Sequence, residues 1–174
     1  YERLLALYPD RAENHAALYQ LARAYWETGR TDEAVARLTQ LRAKYPRSAY
    51  AAEAAFRLGE HAVATRDFLQ AVESFQKAQS GSDPALAESA GYQLGWAYLN
   101  LQEYRQAADA FVSVLDASVR RASPGGAAGG RGPAATFSLA QFSEPDAVFV
   151  SEVIKALLEL GVFMSELAAF DDLV

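Results

Sequence analysis

Residues 51–79, AAEAAFRLGEHAVATRDFLQAVESFQKAQ, contain two runs in which apolar side chains recur at helical spacing. A short polar break, Thr65-Arg66-Asp67, separates the two runs. Small and large apolar residues alternate on the sides of the two runs that would face each other. They are Leu58-Gly59, Phe68, Ala71, Phe75 and Ala78. The stretch therefore predicts two amphipathic helices that fold against each other as a hairpin.

The same pattern occurs once before this stretch and once after it. Two sets of residues mark the copies. They are the leucines Leu21, Leu58 and Leu94, each followed by a small residue, and the alanines Ala34, Ala71 and Ala107. Both sets are spaced by 37 and then 36 residues (58 − 21 and 94 − 58; 71 − 34 and 107 − 71). A period shared by two independent sets predicts three helical hairpins, at about 10–47, 48–82 and 83–117.

Residues 10–116 resemble tetratricopeptide repeats. The first copy carries the signature as Leu21-Ala22, Tyr25, Gly29, Ala34, Leu38, Leu41 and Pro46. The resemblance implies an all-α fold, a tetratricopeptide superhelix (α-solenoid) of about three helical hairpins plus a C-terminal helix. A small residue in each first helix, such as Gly59 or Gly95, would let the second helix approach closely. A large residue in the second helix, such as Phe75, would fill the space against the next hairpin.

The repeat is two or three residues longer than the usual 34, and residues 45–50 read YPRSAY. This long form resembles tetratricopeptide proteins of the bacterial envelope, such as the periplasmic coordinator of the Tol–Pal system and the lipoprotein of outer-membrane β-barrel assembly. The resemblance implies the periplasm or the periplasmic face of the outer membrane. The cytoplasm is the alternative, because a chain without cysteine suits either compartment.

Residues 1–9 read as the tail of a preceding, truncated repeat, since Tyr8-Pro9 recurs as Tyr45-Pro46. The chain is therefore expected to be a fragment. The apolar side of this short helix is expected to be exposed, with no partner. It comprises Tyr1, Leu4 and Leu5.

Beyond the third hairpin, residues 118–142 are rich in Gly, Ala, Ser and Pro and predict a flexible linker. Residues 143–174 predict one long helix that begins at Ser143-Glu144-Pro145. Leu160-Gly161 is a candidate Leu-small pair, which would make this helix the first of a further repeat.

Residues that commonly end helices stand between the apolar runs. Asp10 and Ser48 are the predicted N-caps of the first and second hairpins, and the first helix is expected over about residues 11–28. Asp83-Pro84 predicts the third start, and Gly29 is a predicted C-cap.

Composition restricts the kinds of partner. The 174-residue chain has a formal net charge of −6, which argues against nucleic acid and anionic membranes as partners. It has no cysteine, so no disulfide or thiolate metal site can form. No apolar run reaches the roughly 18 residues of a transmembrane helix.

The residues present do not assemble a catalytic or cofactor site. His15 and His61 lie in different repeats with no neighbouring ligand pattern, so no metal is expected. The glycine-rich residues 124–132 lack the Lys-Ser/Thr ending of a phosphate loop. With no nucleophile–base pair either, the sequence predicts no enzyme activity, no cofactor and no small-molecule substrate.

The resemblance places the first helix of each hairpin on the concave face of the superhelix and implies a set of groove residues. They are Tyr19, Arg23, Trp26 and Glu27 in the first hairpin, Phe56, Glu60 and Val63 in the second, and Tyr92, Trp96, Leu99 and Asn100 in the third. Five of these eleven are aromatic, which favours a groove that binds a protein or peptide. A clamp for a terminal carboxylate is disfavoured, because Arg23 is the one cation at the clamp positions and Glu60 has the wrong sign.

Three alternatives stay open. The groove aromatics either bind an external segment or pack within the chain, where the C-terminal helix could fill the groove. A structural self-assembly module would make the chain a homo-oligomer. A regulatory domain of a larger cytoplasmic protein would also fit.

Overall fold

The computed structural model describes residues 1–9, 11–122 and 155–156, and in this part of the chain all regular structure is helical. The helices are α1 (Glu2–Leu7), α2 (Asn14–Glu27), α3 (Thr31–Lys44), α4 (Ala51–Ala64), α5 (Phe68–Gln79), α6 (Pro84–Asn100) and α7 (Tyr104–Ala122). Each helix contacts the next one along the chain, and α4 also contacts α6. The hairpins α2–α3, α4–α5 and α6–α7 therefore stack in order. The predicted all-α class and α-solenoid fold are confirmed.

The two helices of a hairpin approach closely at a glycine that faces a phenylalanine. A Cβ atom built on Gly59 would lie 2.6 Å from Cε1 of Phe75, and one built on Gly95 would lie 2.5 Å from Cε1 of Phe111. Both phenylalanine side chains are fully buried. The glycine thus leaves the space that the ring fills, as the pairing of small and large residues predicted.

Each first helix ends in the same left-handed turn. Gly29, Arg66 and Gln102 have φ angles of +75°, +61° and +62°. The N–H of the following residue then donates back to a carbonyl in the last helical turn, as from Asp67 to Ala62 O at 2.8 Å. These are the features of a Schellman-type helix end, in which Gly29 follows the C-cap residue Thr28 and ends the helix as predicted.

Substitutions at two positions of this turn are predicted to change the free energy of unfolding in opposite directions. Gly29→Ala should lower the free energy of unfolding by about 1 kcal/mol, because only glycine adopts positive φ without strain. Arg66→Gly should raise it by roughly 0.5 kcal/mol, since it relieves the same strain at a cost in chain entropy. Chemical denaturation followed by circular dichroism measures both. Equal signs for the two changes would contradict this explanation.

Two predicted N-termini need correction. Helix α2 begins at Asn14 and not at Arg11, because the buried Asn14 side chain donates from Nδ2 to the carbonyl of Tyr8 at 2.6 Å and ties this point to the end of α1. Asp10 lies outside the described residues. Ser48 is not the N-cap of α4, which is Tyr50. The hydroxyl of Ser48 instead accepts from the backbone N–H of Tyr50 at 3.1 Å and contacts Nδ1 of His15 at 2.9 Å.

The third helical start is as predicted. Asp83 is the N-cap of α6, and Pro84 is the first helical residue. The carboxylate of Asp83 accepts from the backbone N–H groups of Ala85 at 3.0 Å and Leu86 at 3.5 Å.

The predicted linker begins too early, since α7 continues to Ala122. No Gly or Pro stands between Ser118 and Pro124 to stop the helix. The buried hydroxyl of Ser118 also donates to the carboxylate of Glu88 at 3.4 Å, which holds this turn against α6. The rest of the linker, 123–142, lies outside the described residues. So does the C-terminal helix 143–174 apart from Lys155 and Ala156, which are helical.

Helix α1 packs on α2 through one side. The hydroxyl of Tyr25 donates to the carboxylate of Glu2, and Leu5 is half-buried against the clusters around α2. The prediction that Leu5 is exposed is therefore wrong, whereas Tyr1 and Leu4 are exposed. Leu5 is covered because α2 lies directly beneath it. Within residues 1–9, 11–122 and 155–156, no helix has both the length and the apolar character that a membrane crossing needs.

Candidate partner-binding groove

A cavity of about 580 Å³ opens between α2 and α4. Its lining contains all four groove residues predicted in the first hairpin, together with residues from α4 and the turn before it. They are Tyr19, Gln20, Ala22, Arg23, Trp26 and Glu27 from α2, Leu38 from α3, and Tyr50, Glu53 and Arg57. We call this space the α2–α4 cavity.

Two stacked tyrosines form one end of the α2–α4 cavity. The rings of Tyr19 and Tyr50 are 4.7 Å apart between centroids and tilted by 14°. Burial, together with the hydrogen bond to the carboxylate of Glu53, raises the pKa of Tyr19 to about 12. The Tyr19 hydroxyl therefore stays neutral and donates to Glu53 throughout the physiological range.

Trp26 forms another part of the cavity wall. Its ring is half-buried and packs on the clusters that contain Leu18 and Leu21. The ring of His61, from α4, meets it edge-on with centroids 6.3 Å apart. One face of a rigid aromatic ring supported from behind is a typical anchor for a bound side chain.

Ion pairs along single helices stand at the rim. Arg23 pairs with Glu27 at 3.7 Å, and Arg57 pairs with Glu60 at 2.9 Å and with Glu53 at 4.0 Å. These side chains are between 38% and 71% exposed, and ion pairs of that kind contribute at most about 1 kcal/mol each. An incoming polar group can therefore replace one partner of such a pair at little cost.

The predicted residues of the second hairpin lie outside this cavity. Phe56 and Val63 are half-buried against the cluster around Phe75, and the Phe56 and Phe75 rings meet edge-on with centroids 5.6 Å apart. Glu60 pairs with Arg57 at 2.9 Å. Phe56 and Val63 thus support the core.

The predicted aromatics of the third hairpin pack around one core residue. The rings of Tyr92 and Trp96 each lie 5.8 Å from that of Phe111, and Leu99 packs on the same cluster. Asn100 is exposed and donates from Nδ2 to the carbonyl of Trp96 at 2.8 Å. The structure therefore gathers the first-hairpin residues into one cavity but does not join those of the other hairpins to it.

Sequence reasoning missed Tyr50, Glu53 and Arg57. A signal was present, because Glu53, Arg57 and Glu60 follow one another at i, i+4 and i+7 and so share one face of α4. Glu53 and Arg57 of that face line the cavity. Tyr50 had no such signal, because it precedes the helix and its stacking on Tyr19 depends on how two hairpins meet.

A second cavity, of about 940 Å³, lies among α3, α4 and α5. No Phe, Tyr or Trp lines it, and its charged side chains include Arg42, Glu73 and Lys77. Burial lowers the pKa of Arg42, and the nearby carboxylate of Glu73 opposes this shift. Without a Phe, Tyr or Trp ring it offers less to anchor a peptide than the α2–α4 cavity does. Among the described side chains, no three carboxylates or histidines are grouped as a metal site would require.

Comparison with known families agrees with this arrangement. A sequence model of the tetratricopeptide repeat family matches residues 16–48 and 89–117, which cover most of the first and third hairpins. No curated protein sequence matches the chain. The middle hairpin repeats the glycine–phenylalanine contact of the third, with Gly59 against Phe75. The first and third hairpins therefore match the tetratricopeptide repeat family, and the described helices have the tetratricopeptide fold, which generally mediates interaction between proteins.

Proposed function

We propose that the chain is a non-catalytic scaffold that binds a peptide segment of a protein partner in its concave groove, with the α2–α4 cavity as the principal contact. The observation that supports this proposal is the aromatic lining of that cavity by Tyr19, Trp26 and Tyr50. Aromatic side chains offer a large contact area at a small entropic cost, so they commonly dominate binding energy.

The lining indicates what the segment should carry. An apolar or aromatic side chain would rest on Trp26, close to the Tyr19–Tyr50 stack. Polar or charged groups on either side would meet Arg23 and Arg57, or their acidic partners, at the rim. An extended or helical peptide with one large anchor fits this arrangement.

Trp26→Ala should weaken binding at least about tenfold, because truncation of a central aromatic anchor commonly costs more than 1.4 kcal/mol. Peptides are first selected from a random display library on the unchanged protein, and their affinity for each variant is then measured by calorimetry. Circular dichroism checks that the helices are retained.

Leu69→Ala is the matched control. Leu69 is an apolar residue on α5 that is 71% exposed and lines neither cavity. Its removal should leave the affinity unchanged. Selected peptides that bind the folded Trp26→Ala variant as tightly as the unchanged protein would place the binding site elsewhere.

We further propose the bacterial cell envelope as the location, on the periplasmic side of the outer membrane. The support is the length of the repeat and the YPRSAY segment at residues 45–50. Fractionation of cells that express the full-length gene product tests it. Recovery in the cytoplasm would instead favour a regulatory domain of a larger cytoplasmic protein.

Self-association is a second candidate function, because α1 and the residues on either side of it expose several large apolar side chains. They are Tyr1, Leu4, Leu7 and Tyr8. The double change Leu4→Glu/Leu7→Glu should reduce any concentration-dependent dimer seen by light scattering. A molecule that remains monomeric at every concentration would exclude this function.

A further inference from the structure

The described residues beyond α7 bear on how the stack of hairpins ends. Lys155 and Ala156 are helical, with Lys155 exposed and Ala156 only 2% exposed. Ala156 belongs to a buried cluster with Ala107, Phe111 and Val114, which are all on α7. A segment that follows α7 by more than 30 residues (155 − 122) is thus packed on the surface of α7.

The same contact occurs twice earlier in the chain. Ala54, on α4, lies in a buried cluster with Leu38 and Leu41 of α3. Ala90, on α6, lies in a buried cluster with Phe75 and Ala78 of α5. Both alanines are fully buried. In each case an alanine of a first helix packs on the second helix of the preceding hairpin.

The register of Ala156 matches that of the two earlier alanines. Ala54 and Ala90 each stand four residues before a Leu-Gly pair, Leu58-Gly59 and Leu94-Gly95. Ala156 likewise stands four residues before Leu160-Gly161. Its partners Phe111 and Val114 correspond to Phe75 and Ala78 one repeat earlier, at the same spacing of 36 residues (111 − 75 and 114 − 78).

From this match of contact and register, we propose that Lys155 and Ala156 belong to the first helix of a fourth hairpin, which stacks on α7 and covers its outer face. The occupant of that face is thus a segment of the same molecule. The part of α7 that carries Ala107, Phe111 and Val114 is therefore covered within the molecule. This inference does not depend on peptide binding in the α2–α4 cavity.

Two adjacent substitutions test whether Ala156 is packed on α7. Trp96 packs on the same cluster, and in a Trp26→Phe background it is the one remaining tryptophan of the two in the chain. Ala156→Asp should shift its emission to longer wavelength and lower the unfolding midpoint by about 4 to 8 °C, because it buries a carboxylate in an apolar cluster. Lys155→Asp introduces the same charge at an exposed position and should change neither quantity. Equal behaviour of the two variants would overturn the proposal.

A disulfide test separates stacking within one molecule from packing between two. The chain has no cysteine, so Ala156→Cys/Val114→Cys introduces one possible pair. Under mild oxidation this variant should form a disulfide within the monomer, whereas Ala156→Cys/Leu69→Cys should not, because Leu69 is exposed on α5. A disulfide-linked dimer would assign the face of α7 to a second copy, and absence of any disulfide would show that the segment is not packed there. Either result would overturn the proposal.

Discussion

Phe75→Ala is expected to lower the free energy of unfolding by about 3–5 kcal/mol, the usual loss for a buried phenylalanine. The Phe75 side chain is fully buried in the middle hairpin. Its cluster draws alanines and a leucine from α4, α5, α6 and α7. Removal of the ring therefore leaves a cavity where the second and third hairpins meet, and the helix backbones are too constrained to close it.

The effect should extend beyond the site of the change. In a linear stack each hairpin contacts only its neighbours, so stability depends on the interfaces between them. Loss of Phe75 weakens the interface in the middle of the chain, and the denaturation curve should become broader as well as shift to lower denaturant concentration. Urea denaturation followed by circular dichroism measures both changes. Leu69→Ala, at an exposed position six residues earlier on α5, should change the free energy by less than about 0.5 kcal/mol.

Gly59→Ala and Gly95→Ala should each lower the free energy of unfolding by about 1–3 kcal/mol. Helix propensity alone predicts the opposite, since alanine is favoured over glycine in a helix interior by about 1 kcal/mol. The steric contact with the phenylalanine ring determines whether the change stabilises or destabilises the protein. The added methyl group would lie 2.6 Å from the ring of Phe75 or 2.5 Å from that of Phe111, and both rings are enclosed on every side.

A double-mutant cycle isolates this cause. Phe75→Leu removes the ring edge that the new methyl group would strike, so Gly59→Ala should cost less in that background than in the unchanged protein. We expect a coupling energy of roughly 0.5–3 kcal/mol. Ala36→Gly, at an exposed position within α3, serves as the control for propensity and should cost about 1 kcal/mol. A stabilising Gly59→Ala change would show that the helices can separate without loss.

Local patterns predicted the ends of helices well where the capping group is within the same turn. Asp83 caps α6 as predicted, through backbone groups two and three residues away. Ser48 has the side-chain chemistry of an N-cap, but its hydroxyl contacts His15, on a different helix. Sequence distance conceals a contact of that kind, so a residue with good capping chemistry can serve another purpose.

Of the predicted groove residues, only those of the first hairpin lie together in one cavity. All eleven groove positions follow from the repeat register, yet the α2–α4 cavity contains just the four from α2. Tyr92 and Trp96 occupy equivalent positions in the third hairpin, but their rings pack on Phe111. Register places a residue on a helix face, whereas the size of its neighbours on the other helices determines how much of it remains accessible.

The amino-acid sequence by itself determined the helical hairpins, their number in residues 10–117 and the close pairing of glycine with phenylalanine. These features follow from a period of 36 or 37 residues and from side-chain size, both of which can be read along one chain. The tertiary structure decided which aromatic rings line a cavity and which enter the core, and it placed Ala156 against α7. Such contacts join helices that are distant in sequence, and they depend on how neighbouring hairpins are oriented, for which the local pattern carries no signal.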